Sequence, residues 1–241
     1  MSAFRWLLLC VCVVARAQDP FEIQVFEYEP LPRGTYSYEE HLNRSGDQWH
    51  LSSELTAGIT RQFRAGVVAL TGVVPGRGWE YAGFRILPHI YAPPSWKLPL
   101  NLGFIAEFSF ERPLFDENTR QVELRGIAEK HVGRLQMDGN LSFGHTLHGP
   151  GTREGWGLEP SGRIGWRISR TFTPSLEYYG SVGALGNFAP VQQQVHLLFP
   201  GADWKIRDSF MWSFGAGFGA TAAESSVILK SRFEFEFGRE R

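Results

Sequence analysis

The chain has 241 residues, with 24 Lys and Arg against 25 Asp and Glu, for a formal net charge of −1. That balance gives no electrostatic basis for nucleic-acid binding, and 43% hydrophobic with 20% charged residues excludes a disordered chain. The 27 glycines and 19 phenylalanines favour antiparallel β-structure over helix; no apolar run reaches the roughly 20 residues of a spanning helix, which leaves a barrel as the membrane option.

Residues 1–17 read as a secretory leader. Arg5 supplies the positive start, Trp6 to Ala15 the apolar stretch, and Ala15-Arg16-Ala17 the small–x–small cleavage site. Cys10 and Cys12 both lie in it, so the exported chain is expected to hold no disulfide, thiolate nucleophile or Cys-bound metal. Residues 18–33 are expected to form a periplasmic N-terminal arm. Its stretch Phe21 to Pro32 is acidic and ends in proline, and it reads as a periplasmic tail or as a plug entering a lumen.

From residue 34 onward the dominant signal is a period of two. Leu98, Leu100, Leu102, Phe104, Ala106, Phe108 and Phe110 share one face, while Asn101, Gly103, Ile105, Glu107, Ser109 and Glu111 share the other. Trp49, Leu51, Leu55, Ala57 and Ile59 alternate in the same way with His50, Ser52, Glu54 and Thr56. The pattern predicts about twelve strands, near 34–44, 48–59, 62–74, 80–91, 97–111, 119–129, 133–145, 156–169, 172–184, 192–207, 209–221 and 226–238. The third is apolar on both faces. In the tenth, Val195, Leu197 and Phe199 are odd while Trp204 and Ile206 are even, which predicts a β-bulge at Pro200-Gly201. Tight connections such as Thr60-Arg61 and Asp208 alternate with longer ones such as 113–118 and 145–155.

Together these features predict an all-β fold: a transmembrane antiparallel up-and-down β-barrel over residues 34–241, in the bacterial outer membrane, monomeric, with outer-membrane lipid and the barrel-assembly machinery as partners and no nucleic acid. A secreted soluble β-protein is the alternative. Bulky aromatics at the ends of the fatty faces (Trp49, Phe110, Trp166, Trp204, Trp212, Phe237) read as interfacial girdles and favour lipid outside. Glu54-Leu55-Thr56-Ala57-Gly58-Ile59-Thr60-Arg61-Gln62-Phe63 and the stretch from Ile168 to Gly180 resemble segments of the outer-membrane transporter family named for the meta pathway of phenol degradation. Phe21-Glu22-Ile23-Gln24-Val25 and Gln193-Gln194-Val195-His196 resemble stretches of uncharacterised bacterial outer-membrane β-barrel proteins. The resemblance implies a barrel and, loosely, transport, with no named solute.

The polar parity supplies the candidate lumen-lining residues: Glu54, Arg85, His89, Glu107, Glu123, Arg125, Asp138, Glu159, Arg163, Arg167, Glu177, Lys230, Arg232 and Glu234. Adjacent strands place Glu107 near Arg125 and Asp138 near Arg163, and closure lets Arg232 face Glu39. Such a ladder either selects solutes by charge or zips the interior shut. His41, His50 and His89 with Glu39 and Glu54 could ligate a metal, but no spacing fixes them, and neither metal nor cofactor is assigned. Ser142, His145 and His148 lie close in sequence without a specified general base. The expected function is therefore non-enzymatic, a narrow channel for passive passage of a small solute. A closed structural or surface-interaction barrel and an outer-membrane lipid hydrolase are the alternatives.

Overall fold

A computed structural model describes residues 19–221 and 227–239. The leader, with Cys10 and Cys12, falls outside the described residues. Twelve strands form the wall: β1 (Thr35–Ser45), β2 (Gln48–Gly58), β3 (Phe63–Val74), β4 (Gly78–Tyr91), β5 (Asn101–Glu111), β6 (Arg120–Val132), β7 (Leu135–His148), β8 (Gly157–Trp166), β9 (Phe172–Ser181), β12 (Val195–Arg207), β13 (Phe210–Gly219) and β14 (Ile228–Gly238). Between β9 and β12, the two-residue strands β10 (Gly183–Ala184) and β11 (Asn187–Phe188) make a small hairpin that extends the edge of β8. Each wall strand pairs antiparallel with its neighbours, and β1 closes on β14 from Thr35↔Gly238 to Ser45↔Ile228. The result is a closed 12-strand all-antiparallel barrel.

The period of two produces this wall directly. Outward positions are apolar and accessible: Val67, Phe84, Ile86, Ile90, Phe104, Ile164, Leu176 and Phe218 are all exposed. Leaving so continuous an apolar exterior uncovered is stable only against lipid. Aromatic rings band the end where the termini meet. Tyr36 stacks on Phe237 with centroids 5.5 Å apart, and Trp212 stacks on Phe233 at 5.9 Å, as interfacial girdles do.

Three local expectations are corrected. First, β5 begins at Asn101, so Leu98 and Leu100 precede it. Pro94 and Pro99 cannot donate to a ladder, and a 3₁₀ turn at Pro94–Trp96 fills the gap, with Lys97 at φ 51°. Second, no bulge interrupts Pro200-Gly201. Gly201 pairs with both Ser175 and Gly215 in unbroken register, and the β12 shift falls between Lys205 and Arg207. Third, connection lengths do not alternate strictly. Gly46-Asp47 alone joins β1 to β2 at the long-loop end, while residues 92–100 make a long connection at the terminal end.

Candidate functional site

The second correction has a physical cause that locates the site. Val195, Leu197 and Phe199 do not face lipid; they point into the lumen and are at most 1% exposed. Val68 and Leu70 of β3, Leu87 and Tyr91 of β4, Ile105 of β5 and Ile127 of β6 do the same. Apolar side chains on a lumenal face need an apolar partner, and the N-terminal arm provides it.

Residues 19–29 lie inside the barrel and do not hang below it as a periplasmic tail, and residues 30–33 lead out to one mouth. Phe21 and Phe26 join Val68, Leu70, Leu87, Tyr91, Ile105 and Ile127 in one cluster. Ile23 and Val25 join Tyr179, Val195, Leu197, Phe199 and Ile228 in another. Gly217 makes the second cluster possible, because a β-carbon there would run into the Phe199 ring. The arm runs from Asp19, which meets Arg85 and lies among residues of the long-loop end, to Leu31 and Pro32, which pack on Gly58 at the terminal end.

Wall side chains meet the arm's backbone. Asn140 accepts from Phe26 N–H at 2.7 Å and donates to Phe26 C=O at 2.8 Å. Asn43 donates to Pro20 C=O at 3.0 Å, and Ser52 to Phe21 C=O at 2.9 Å. Tyr28 N–H donates to Glu129 at 3.1 Å, and its hydroxyl donates to Ala92 C=O at 2.7 Å. No described backbone–backbone bond joins residues 19–31 to a strand.

Most expected lumen residues are where the alternation puts them. Glu54, Arg85, His89, Glu107, Asp138, Arg163, Glu177 and Glu234 are buried, and Glu123, Arg125, Glu159, Lys230 and Arg232 are partly so. Arg167 is the exception. It follows the end of β8 and is exposed, with its N–H bonded to Arg134 C=O across the turn. Parity extrapolates inward only while the strand lasts.

Pairings also differ in part. Arg163 bonds Asp138 at 3.1 Å and Arg232 lies 3.4 Å from Glu39. Glu107, however, pairs with Arg85 at 3.3 Å, while Arg125 pairs with Glu123 of its own strand at 2.6 Å. The Arg125 guanidinium sits 4.1 Å from the centroid of the Phe26 ring, so the arm draws it away from Glu107. The arm enters the same network. Arg85 contacts Asp19 and lies 3.3 Å from Glu22; Arg163 lies 3.1 Å from Glu27, and Arg64 lies 3.9 Å from Glu29.

The histidines do not assemble. His41 lies 3.4 Å from Glu39, His50 packs edge-on against Phe21, and His89 accepts from Arg64 at 3.3 Å. Among the described residues, the one group with metal-binding geometry is Asp19, Glu22 and Glu107. Arg85 contacts all three, so a guanidinium already supplies the cation there. Ser142 accepts from Arg125 at 2.9 Å, while His145 bonds Gly155 C=O and His148 bonds Thr119, so neither imidazole serves Ser142 as a base.

The free space is divided by the arm. A cavity of about 190 Å³ at the long-loop mouth is lined by Asp19, Arg85, Glu111, Phe115, Asp116 and Glu123, among others. One of about 200 Å³ at the opposite mouth touches Glu29, Lys205, Glu234 and Glu236. Beside Ile23 and Val25 the void is only about 20 Å³, room for a single water.

No protein-family model matches the chain, and no curated protein does. Solved structures do. The KdgM porin is similar with a TM-score of 0.57 at 11% identity, over 83% of this chain and 99% of that one. The NanC porin gives 0.59 at 7% identity, over 85% and 99%. An outer-membrane channel from Pseudomonas putida F1 gives 0.58 at 12% identity, over 90% and 100%. The fold is that of an outer-membrane porin. At these identities the porin-like barrel is the shared property, and the plugged lumen must be read from this chain's own residues.

Sequence reasoning missed the plug's seat. The signal was present as apolar residues on polar parity, namely Val68, Leu70, Leu87, Ile105, Ile127, Val195, Leu197 and Phe199. An open aqueous lumen has no use for them.

Proposed function

We propose that this chain is an outer-membrane channel, closed at rest by its own N-terminal arm, that passes small polar solutes and prefers cations when the arm yields. The observation that carries the reading is the arm itself: a strandless segment occupies the lumen of a porin-like barrel, with a polar cavity at each mouth. The cation preference follows from the wall. Glu39, Glu54, Glu107, Glu111, Glu123, Glu129, Asp138, Glu177, Asp203 and Glu234 outnumber Arg64, Arg85, Arg125, Arg163, Lys230 and Arg232. Fixed charges act on a permeant ion over about 8 Å at physiological salt, so in so narrow a lumen every ion feels the surplus. One similar porin is described in complex with oligogalacturonate, a polyanion; the carboxylate surplus here disfavours such a solute. No residue is assigned a catalytic role.

Single-channel recording on the refolded exported chain tests this. The wild type should open rarely, with a reversal potential on the cation side in a salt gradient. Phe26→Ala should raise open probability. If neither protein ever conducts while both remain folded, the barrel is a closed structural one.

A further inference from the structure

We propose that the lumen is a binding site for an extended polypeptide segment with aromatic and aliphatic side chains, and that the arm is its displaceable occupant in cis. This goes beyond conduction, because it holds whether or not ions pass.

The bonds around the arm are those of a receptor and its ligand. A wall strand is held by neighbouring strands through backbone ladders, whereas the arm between residues 19 and 31 is held by side chains projecting from the wall. Asn140 reads both backbone polar groups of one residue, at 2.7 and 2.8 Å. That contact recognises any polypeptide backbone and is indifferent to the side chain at the position. Selectivity comes from elsewhere. Arg125 stacks on the Phe26 ring at 4.1 Å, which requires an aromatic there. The apolar seats around Phe21 and around Ile23 and Val25 require bulky apolar residues at those positions, while Arg85 beside Asp19 and Glu22 and Arg163 beside Glu27 accommodate carboxylates there.

The arm's covalent connection lies at one mouth, where Arg33 is exposed and Thr35 N–H bonds Pro32 C=O. A tethered occupant acts at an effective concentration on the order of millimolar, so a free peptide competes poorly while the tether is intact. Cutting the tether removes that advantage.

The experiment therefore places a specific protease site between Arg33 and Gly34 of the exported chain, refolds it in detergent, and cuts it afterwards. The probe is a fluorescent synthetic peptide with the sequence of residues 18–32, QDPFEIQVFEYEPLP. The cut arm should stay associated and exchange with the probe. A scrambled peptide of the same composition should compete at least tenfold more weakly, and so should a peptide with Ala in place of Phe26. Equal competition by the scrambled peptide overturns the proposal in favour of unspecific charge attraction. An arm that leaves without the probe entering also overturns it. So does a barrel that loses heat-resistant mobility once cut, because the arm is then part of the core and no ligand. Conductance is read on the same sample, so peptide binding in a silent barrel refutes only the channel.

Discussion

Asn140→Ala should release the arm without unfolding the barrel. The Asn140 amide satisfies both Phe26 N–H and Phe26 C=O, deep in the lumen. Removing it leaves two buried backbone groups without partners. Each costs about 1–3 kcal/mol when nothing replaces the bond; with one water entering the space left by the amide, a net of about 2–4 kcal/mol is expected. At 1.4 kcal/mol per tenfold, the arm-out population rises about 30- to 700-fold. The wall loses no ladder bond, so its own stability should change much less.

The assay uses the absence of thiols from the described residues. Val25→Cys places one thiol at a position 4% exposed, within the cluster formed with Val195, Leu197 and Phe199. When the arm returns faster than reagent reacts, the labelling rate follows the open population. The rate should rise by the same factor in Asn140→Ala, with heat-induced mobility of the barrel unchanged. Asn140→Asp retains an acceptor for Phe26 N–H but loses the donor, so it should fall between the two. A labelling rate indifferent to Asn140 would refute the claim that this contact anchors the arm.

Other expectations concern the wall and its orientation. Phe104→Arg, near the middle of a lipid-facing strand, should cost about 2–4 kcal/mol in a lipid refolding titration, whereas Phe172→Arg at a strand end should cost about 0–1 kcal/mol. Arg163→Gln should be strongly destabilising, because it strands Glu27, Asp138 and Asp203 together, at about 3–5 kcal/mol for a broken buried pair. Arg167→Gln, outside the strand, should fall within about 0.5 kcal/mol of wild type in the same denaturant titration. An epitope inserted at residues 150–153 should be cleaved by protease on intact cells, while one at Gly133 should be protected; the reverse would invert the barrel in the membrane.

The barrel was legible because its cause is local. Alternation sets which side of a strand meets lipid, and one slipped residue would turn every Phe of β5 inward. Strand ends were less legible: Pro94 and Pro99 cut β5 short, and Arg167 lies past β8, through effects that parity ignores. The lumen was half legible. Charged residues on polar parity faced inward, but their partners depended on a segment outside the alternating region. Arg125 pairs with Glu123 and stacks on Phe26 because Phe26 is there. Likewise Val195, Leu197 and Phe199 implied a bulge only under the assumption of a wet lumen. Once the arm is inside, the register needs no correction.

What holds the arm can be ranked from the pairings that survive its departure. Arg85 keeps Glu107 and Glu111, and Arg163 keeps Asp138 and Asp203. Lys230 keeps Glu177, and Arg232 keeps Glu39 and Glu234. These four cations are therefore paired within the wall, and the arm's carboxylates add further partners to Arg85 and Arg163, while Arg64 bonds His89 of the wall and meets Glu29 of the arm. Phe21, Ile23, Val25 and Phe26 have no such substitute, since each returns to water and uncovers an apolar seat. Burial of a side chain of this size contributes about 1.5–3 kcal/mol. The long pair between partly exposed Glu29 and Arg64, at 3.9 Å, contributes about 0–1 kcal/mol. Ile23→Ser should thus raise Val25→Cys labelling at least tenfold, and Glu29→Gln should raise it by no more than a few fold. Raising salt should have little effect on the wild-type rate. If Glu29→Gln or added salt opens the lumen as far as Ile23→Ser does, charge holds the plug and the apolar seat does not.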